Sequence, residues 1–423
     1  MNHKASKYNY IYSVDGKYLV YNLLSDAIAV LDNESIGQLS NLQDAELLDD
    51  FCSVGFVVPE DVDELALVNS RRYATMFGEY ETINFTILPT TGCNARCFYC
   101  YEEGWVPRSM NSATASAAAE FIAQECGANK RANVVWFGGE PLLGIDAIRH
   151  ISDSLAVTLG NRFSATMVSN GYLLTSEIIG EAISRWKVSS MQVAIDGIYD
   201  VYEQRKAYAQ GNKGSFERVM SNIEAALEAG IDITARINVD KNNIDSSSET
   251  LAYLAQRFQG YDNFDAYFYP LQDVGDDPSQ DFFSEEEYHS LMPHLLEQRY
   301  RYGFIKNFDY ATYPLVNAGC SARTLSSYVI DPDGDLYKCQ HIVKDDCIGS
   351  VFGGPRFNDA YARFCDPSLP DECTECIFLP KCHGGCLIHH TYGNSTCPKC
   401  QMIKYDIEQR CEILYEMSCG DEA

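Results

Sequence analysis

Three cysteines stand close together in the run Cys93-Asn-Ala-Arg-Cys97-Phe-Tyr-Cys100. Thiolates at these spacings can reach three irons of one cubane, and no fourth cysteine lies nearby. Four thiolates close an electron-transfer cluster, whereas three leave one iron open for substrate chemistry. Half of a zinc site, or a set of core thiols, is the competing reading. Placement on a loop directly after an apolar strand-like run argues against it, because such loops carry chemistry in βα folds. A second group of cysteines begins at Cys320, followed by Gly334 and Cys339. Then come Cys373-x2-Cys376-x5-Cys382-x3-Cys386, and beyond them Cys397 and Cys400. A single four-thiolate zinc site from Cys373, Cys376, Cys382 and Cys386 is the rival here, but it leaves the Cys320…Gly334…Cys339 spacing without a role.

These residues need a scaffold, and the chain is long enough to build one. It has 423 residues, 46% of them apolar, so two or three domains are expected. An odd count of 17 cysteines, with a polar N-terminus lacking a signal-type apolar stretch, points to metal or redox chemistry rather than a disulfide framework. No run of about 18 uninterrupted apolar residues appears, so no transmembrane helix is expected and the chain reads as soluble and cytoplasmic. The net charge of −28 argues against general phosphate-backbone binding, so neither nucleic acid nor membrane is an expected partner.

The middle of the chain alternates apolar runs with helical patterns. Strands are expected at Ile83–Leu88, Val134–Phe137, Ala165–Val168, Met191–Ile195, Ile233–Val239 and Phe264–Tyr269. Helices are expected at Ala113–Glu125, Asp146–Leu159, Ser176–Trp186, Phe216–Ala229 and Glu249–Phe258. Six βα-like units predict an α/β fold, a parallel barrel or open barrel. Gly138-Gly139-Glu140-Pro141 follows the second strand, where the glycines permit close backbone approach and Glu140 supplies an acceptor. Ser169-Asn170-Gly171 ends the third strand, and Asp196-Gly197 the fourth.

At the N-terminus, extended runs at Tyr8–Tyr12, Tyr18–Tyr21 and Ala27–Leu31 surround an Asp15-Gly16 hairpin signal. Short helices over Glu34–Leu39 and Ala45–Val54 follow, with Gly55 in a capping position and Phe56–Pro59 as a closing extended piece. The acidic stretch Glu60–Glu64 is expected to begin a linker. Beyond about residue 300 the periodicity fades. Twelve of the cysteines lie there, and a second hairpin signal, Pro332-Asp333-Gly334, separates Ser327–Asp331 from Asp335–Lys338. A region this poor in apolar runs is expected to be stapled by metal.

The Cys93, Cys97, Cys100 triplet resembles the signature of the radical S-adenosylmethionine (SAM) superfamily. The resemblance implies that SAM chelates the open iron and is split to a 5′-deoxyadenosyl radical, which removes a substrate hydrogen. It puts Tyr99 at the adenine, Gly138, Gly139, Glu140 and Pro141 at the SAM amino group, and Ser169, Asn170 and Asp196 near the ribose and methionine. Ala194 stands where the family often has serine. Arg205 and Arg236 are candidate partners of the SAM carboxylate, which a guanidinium fits bidentately. The C-terminal cysteines resemble the SPASM extension, which binds two auxiliary [4Fe–4S] clusters. That resemblance assigns Cys320, Cys339 and Cys386 to the first. Cys373, Cys376, Cys382 and Cys400, preferred over Cys397, go to the second. The implied cofactors are three [4Fe–4S] clusters and SAM.

Two departures bear on function. Ser321 to Lys338 contains no cysteine, so the first auxiliary cluster has only three protein ligands unless Cys347 or Cys365 adds one. Gln340 stands where sulfatase-maturing relatives place a catalytic aspartate. The N-terminal pattern resembles winged-helix elements of the PqqD type that bind leader peptides, with a structural cap on the barrel as its rival. The expected architecture is a partial (β/α)6 TIM-like barrel at 76–300. It lies between a winged-helix-like α+β domain at 1–75 and a small iron–sulfur domain at 301–423. The implied partners are a ribosomally made precursor peptide and an electron donor such as flavodoxin or ferredoxin. Thioether cross-linking is the first expectation. Carbon–carbon cross-linking, epimerisation, sulfatase-type maturation and a non-catalytic iron–sulfur or zinc protein are the alternatives.

Overall fold

A computed structural model describes residues 2–42, 46–100, 102, 104–211, 213–271, 281–312, 320–341, 344–392, 400 and 403–420. The N-terminal segment has five strands: β1 (His3–Ala5), β2 (Asn9–Val14), β3 (Lys17–Asn22), β4 (Ile28–Leu31) and β5 (Val57–Pro59). β2, β3 and β4 form an antiparallel meander. Asp15 and Gly16 both adopt positive φ, +50° and +75°, as the tight hairpin requires. Helices Asn33–Ser40 and Leu48–Val54 pack on one face of the meander through Leu39 and Phe51, joined there by Phe56 beyond the second helix. Gly55 ends the second helix in the left-handed conformation. β5 pairs with β1, a strand that its polar sequence concealed.

The acidic stretch is not a linker. Asp63 caps a helix, Glu64–Phe77, by accepting from the Ala66 amide. Glu64 is buried and receives hydrogen bonds from Ser6 Oγ (2.5 Å) and the Lys7 amide (3.1 Å). Its buried stripe is Glu64, Val68, Arg72 and Met76. Two charges in that stripe hide the helical period.

The six expected strands all form, with ends moved by a few residues: β6 (Thr82–Ile87), β7 (Arg131–Trp136), β8 (Phe163–Ser169), β9 (Val188–Ala194), β10 (Asp232–Val239) and β11 (Phe264–Pro270). They lie side by side in chain order and pair in parallel. Helices Ser112–Cys126, Ile145–Leu159, Ser176–Ser184, Ser215–Glu228 and Ile244–Arg257 connect them. Fully buried strand residues alternate with half-buried ones. Phe85, Val134, Ala165, Val193 and Ala235 join the apolar core beneath the helices, while Asn84, Thr166, Gln192 and Arg236 belong to the half-buried set on the other face.

The C-terminal region is continuous with this sheet. β12 (Ser327–Ile330) adds in parallel to β6, and β13 (Asp335–Tyr337), β14 (Gly349–Ser350) and β15 (Gly354–Pro355) follow antiparallel. Tyr328 of β12 stacks on Phe85 of β6 at 5.8 Å. Two helices that the sequence hid, Glu285–Arg301 and Ile403–Gly420, complete the fold. The second carries Ile407, Cys411 and Leu414 against Leu19 and Tyr21 of β3, so Cys411 is a core thiol. Among the described residues no helix is long and apolar enough to cross a membrane.

Candidate active site and cysteine centres

Cys93, Cys97 and Cys100 lie on the loop after β6 and line one cavity of about 230 Å³ with Arg96, Glu102 and Trp105. Burial pushes the Cys93 thiol up to about 12 and that of Cys100 up to about 11. A bound metal would be needed to hold them as thiolates, since coordination deprotonates a thiol outright. The donor set therefore suits a thiolate-bound cluster. Among the described residues no three His, Cys, Asp or Glu converge closely enough for a single ion.

The glycine turn after β7 holds this loop in place. The Glu140 amide donates to Gly92 O at 2.9 Å and the Gly139 amide to Thr90 O at 3.3 Å. Gly138 has φ +110°, and a Cβ on it or on Gly139 would meet the backbone carbonyls of Thr90 or Gly92. Glu140 is fully buried and accepts from the Asn170 amide (2.8 Å), the Leu142 amide (3.1 Å) and Ser169 Oγ (3.0 Å). Burial pushes its carboxyl up to about 7 against these donors. Asn170 then reaches the cysteine loop, donating Nδ2 to Asn94 Oδ1 at 2.7 Å. Pro141 begins the short turn of 3-10 helix after Glu140 and is buried.

Asp196 is the hub of a second network. It is fully buried, pairs with Lys206 Nζ at 2.7 Å and accepts from Asn238 Nδ2 (2.8 Å), the Asn238 amide (3.3 Å) and the Tyr99 hydroxyl. Burial pushes its carboxyl up, but Lys206 outweighs that and holds it below the usual range. These four bonds occupy the roughly four lone-pair positions of a carboxylate. Asp196 thus fixes Tyr99 and the end of β9 in place. Lys206, which no sequence signal singled out, also anchors the cysteine loop, accepting from the Arg96 amide at 2.8 Å.

The two arginine candidates differ. Arg205 is buried and paired with buried Asp240 at 2.7 Å. Its guanidinium lies 5.1 Å from the ring of Phe98, which stacks in turn with Phe282. Arg236 lies over Tyr269 at 3.7 Å and makes no ion pair among the described residues, and its buried Nε lacks a partner. His341, two residues past Cys339, is pushed down by burial and by Arg236, so the C-terminal region reaches the barrel's inner face.

The C-terminal cysteines separate into two groups. Cys320, Cys339 and Cys386 pack around Ala322, Phe364 and Ile388. Burial pushes Cys320 up and Cys339 up to about 12. Cys373, Cys376, Cys382 and Cys400 line a separate cavity of about 230 Å³ with His390 and Lys404. Cys386 thus sits apart from Cys373, Cys376 and Cys382. Cys397 lies outside the described residues. Cys347 bonds Gly349 O at 3.2 Å and packs by Leu88 and Val329, while Cys365 packs on the barrel core and, like Cys320, acts on Lys338.

Fold and site together define a partial α/β barrel whose first loop gathers three cysteines around one cavity. Residues 87–254 match the Radical SAM superfamily. Over 176 residues the chain is 26% identical to the sporulation killing factor maturation protein SkfB of Bacillus subtilis (strain 168), covering 42% of this chain but only 40% of that protein. It is 21% identical over 349 residues to the cysteine-type anaerobic sulfatase-maturating enzyme of Clostridium novyi (strain NT), covering 72% of this chain and 88% of that enzyme. Native anSMEcpe with bound AdoMet and Cp18Cys peptide superposes with a TM-score of 0.61 at 15% identity, over 79% of this chain and 97% of that one. Streptococcus suis SuiB bound to precursor peptide SuiA gives 0.52 at 13% identity, over 91% and 95%. Residues 87–254 thus carry a radical SAM domain. That family uses a [4Fe–4S] cluster and SAM.

Proposed function

We propose that the chain is a peptide maturase of three parts: residues 1–75 grip a leader peptide, 76–300 bind SAM and 301–423 hold two auxiliary clusters. The carrying observation is the sorting of ten cysteines into three spatial groups, Cys93/Cys97/Cys100, Cys320/Cys339/Cys386 and Cys373/Cys376/Cys382/Cys400. When bound, the first cluster and SAM supply a 5′-deoxyadenosyl radical that takes a hydrogen from the substrate. The chain's own residues then bind and orient. Arg236 offers the SAM carboxylate a guanidinium with no acid partner among the described residues. Arg205, already neutralised by Asp240, serves instead to support Phe98 at the rim. Relatives named as maturation enzymes and neighbours solved with peptides support a peptide substrate. Thioether formation is the first reaction proposed, in the cytoplasm, with flavodoxin or ferredoxin as electron donor. Likeness to a sulfatase-maturating enzyme favours a second reading, but exposed Gln340 is no base.

Anaerobic co-expression with a short cysteine-containing precursor should remove two hydrogen atoms per cross-link, read by mass spectrometry. An unchanged mass in ordinary water that rises in deuterated water would instead mark epimerisation.

Leader binding makes a sharper demand. β4 is an edge strand of the meander among the described residues. The Asn22 amide donates to Ala27 O at 2.9 Å, so ladder alternation turns the amides of Ile28 and Val30 toward the open edge. A leader added there as a strand would use them. Val30→Pro deletes one edge donor without breaking a β3–β4 bond. It should raise KM for the peptide roughly tenfold, the equivalent of about 1.4 kcal/mol, with SAM cleavage in the absence of peptide as the control. An unaltered KM would remove β4 from the leader site.

A further inference from the structure

Burying a cation without an anion is expensive, and a chain with 60 acidic and 32 basic residues has carboxylates to spare. Three cations nonetheless lie buried without one: Arg72, Arg323 and Lys338, at 2%, 5% and 1% exposure. Arg72 donates to Asn69 Oδ1 (2.7 Å) and Pro367 O (3.0 Å), and Arg323 to Asp366 O (3.2 Å). Lys338 Nζ donates to Thr324 O and Ser327 O, both at 2.5 Å. Every acceptor is neutral. None of the three makes an ion pair among the described residues, and both arginine Nε atoms are buried without a partner. Asp366, which feels Arg323, is exposed and spends its carboxylate on the Ser368 amide at 2.9 Å.

What the three cations face is sulfur. Arg72 and Arg323 line a narrow cleft with Cys320 and His383. Cys373 and Cys382 of the other cysteine group act on Arg72, while Cys365 and Cys320 act on Lys338. With thiols alone, these charges are uncompensated. A thiolate-bound iron–sulfur cluster is an anion and would compensate them.

We propose that Arg72, Arg323 and Lys338 form a buried cationic collar that holds the auxiliary cluster at Cys320, Cys339 and Cys386 and raises its reduction potential. The inference rests on the cluster assignment proposed above. Positive charge favours the state carrying the added electron, and net charge and burial are what set a cluster's potential. Arg72 comes from helix Glu64–Phe77, so the N-terminal half of the chain contributes to a site whose thiols come from the C-terminal third.

The test uses the full chain, reconstituted anaerobically with Cys93, Cys97 and Cys100 replaced by Ala so that only auxiliary clusters contribute. Electron paramagnetic resonance follows reduction at set potentials. Arg72→Gln and Arg323→Gln should each lower the reduced fraction at a fixed potential about tenfold, equivalent to 59 mV for one electron. Arg72→Lys and Arg323→Lys should restore it. Loss of about four irons in the Gln variants but not in the Lys variants would also support the collar. Full iron with an unmoved potential overturns it, as does equal iron loss in both kinds of variant, which marks mere packing. The cluster assignment fails separately, if replacing Cys320, Cys339 and Cys386 together by Ala leaves the iron content unchanged.

Discussion

Replacing Cys93, Cys97 and Cys100 together by alanine is expected to reduce SAM cleavage to background and to remove about four of the roughly twelve irons that the three proposed clusters would hold. The iron count discriminates because the two C-terminal cysteine groups lie in separate pockets, with no thiol shared with the β6 loop. Cleavage requires an iron with an open position, and among the described residues the first site is lined by three thiols and no fourth. Continued 5′-deoxyadenosine formation by the triple variant, followed chromatographically after reduction, would mean that the active site lies elsewhere.

Gly139→Ala should be nearly as damaging although it touches no sulfur. Its Cβ would press on the carbonyls of Gly92 and Thr91, the residues just before Cys93. No flexible side chain is there to yield, so the cysteine loop or the turn after β7 must move. Overpacking of this kind costs about 1–3 kcal/mol, and more where backbone must shift. The expected result is a lower unfolding midpoint together with loss of iron from the first cluster. Gly180→Ala is the control: it meets nothing within 4 Å on the helix Ser176–Ser184 and should stabilise by about 1 kcal/mol. Full iron loading by Gly139→Ala would show that the loop tolerates displacement and that close approach here is incidental.

The barrel was legible because its strands are apolar runs separated by amphipathic helices, a pattern that survives without knowledge of tertiary contacts. Spacing drew attention to the cysteines, but it could not by itself separate Cys386 from Cys373, Cys376 and Cys382, which the fold places in a different neighbourhood. Two of the missed helices share one cause, which is that their buried faces contain residues that ordinarily mark solvent. Helix Glu64–Phe77 buries Glu64 and Arg72, and helix Ile403–Gly420 buries Asp406 and Arg410, which pair with each other at 2.7 Å. Helix Glu285–Arg301 contains Pro293, which reads as a helix breaker. Lys206 was invisible for a related reason. A lysine near the end of a polar helix carries no signal until the fold brings Asp196 and Tyr99 to it from other loops. The carboxylate of Asp196, expected beside SAM, turned out to have its bonding capacity filled by protein.

The parallel seam between β6 and β12 bears on how the molecule is made. The Asn84 amide bonds Ser326 O and the Leu88 amide bonds Ile330 O, each at 2.9 Å, across most of the barrel's length in sequence. While the ribosome is still translating the intervening residues, the first barrel strand emerges with those hydrogen-bonding groups unclaimed. An unpaired edge invites pairing with another nascent chain. Iron loading before the C-terminal hairpin arrives would thus occur on an open-sided scaffold, and slow translation between β11 and β12 should promote aggregation.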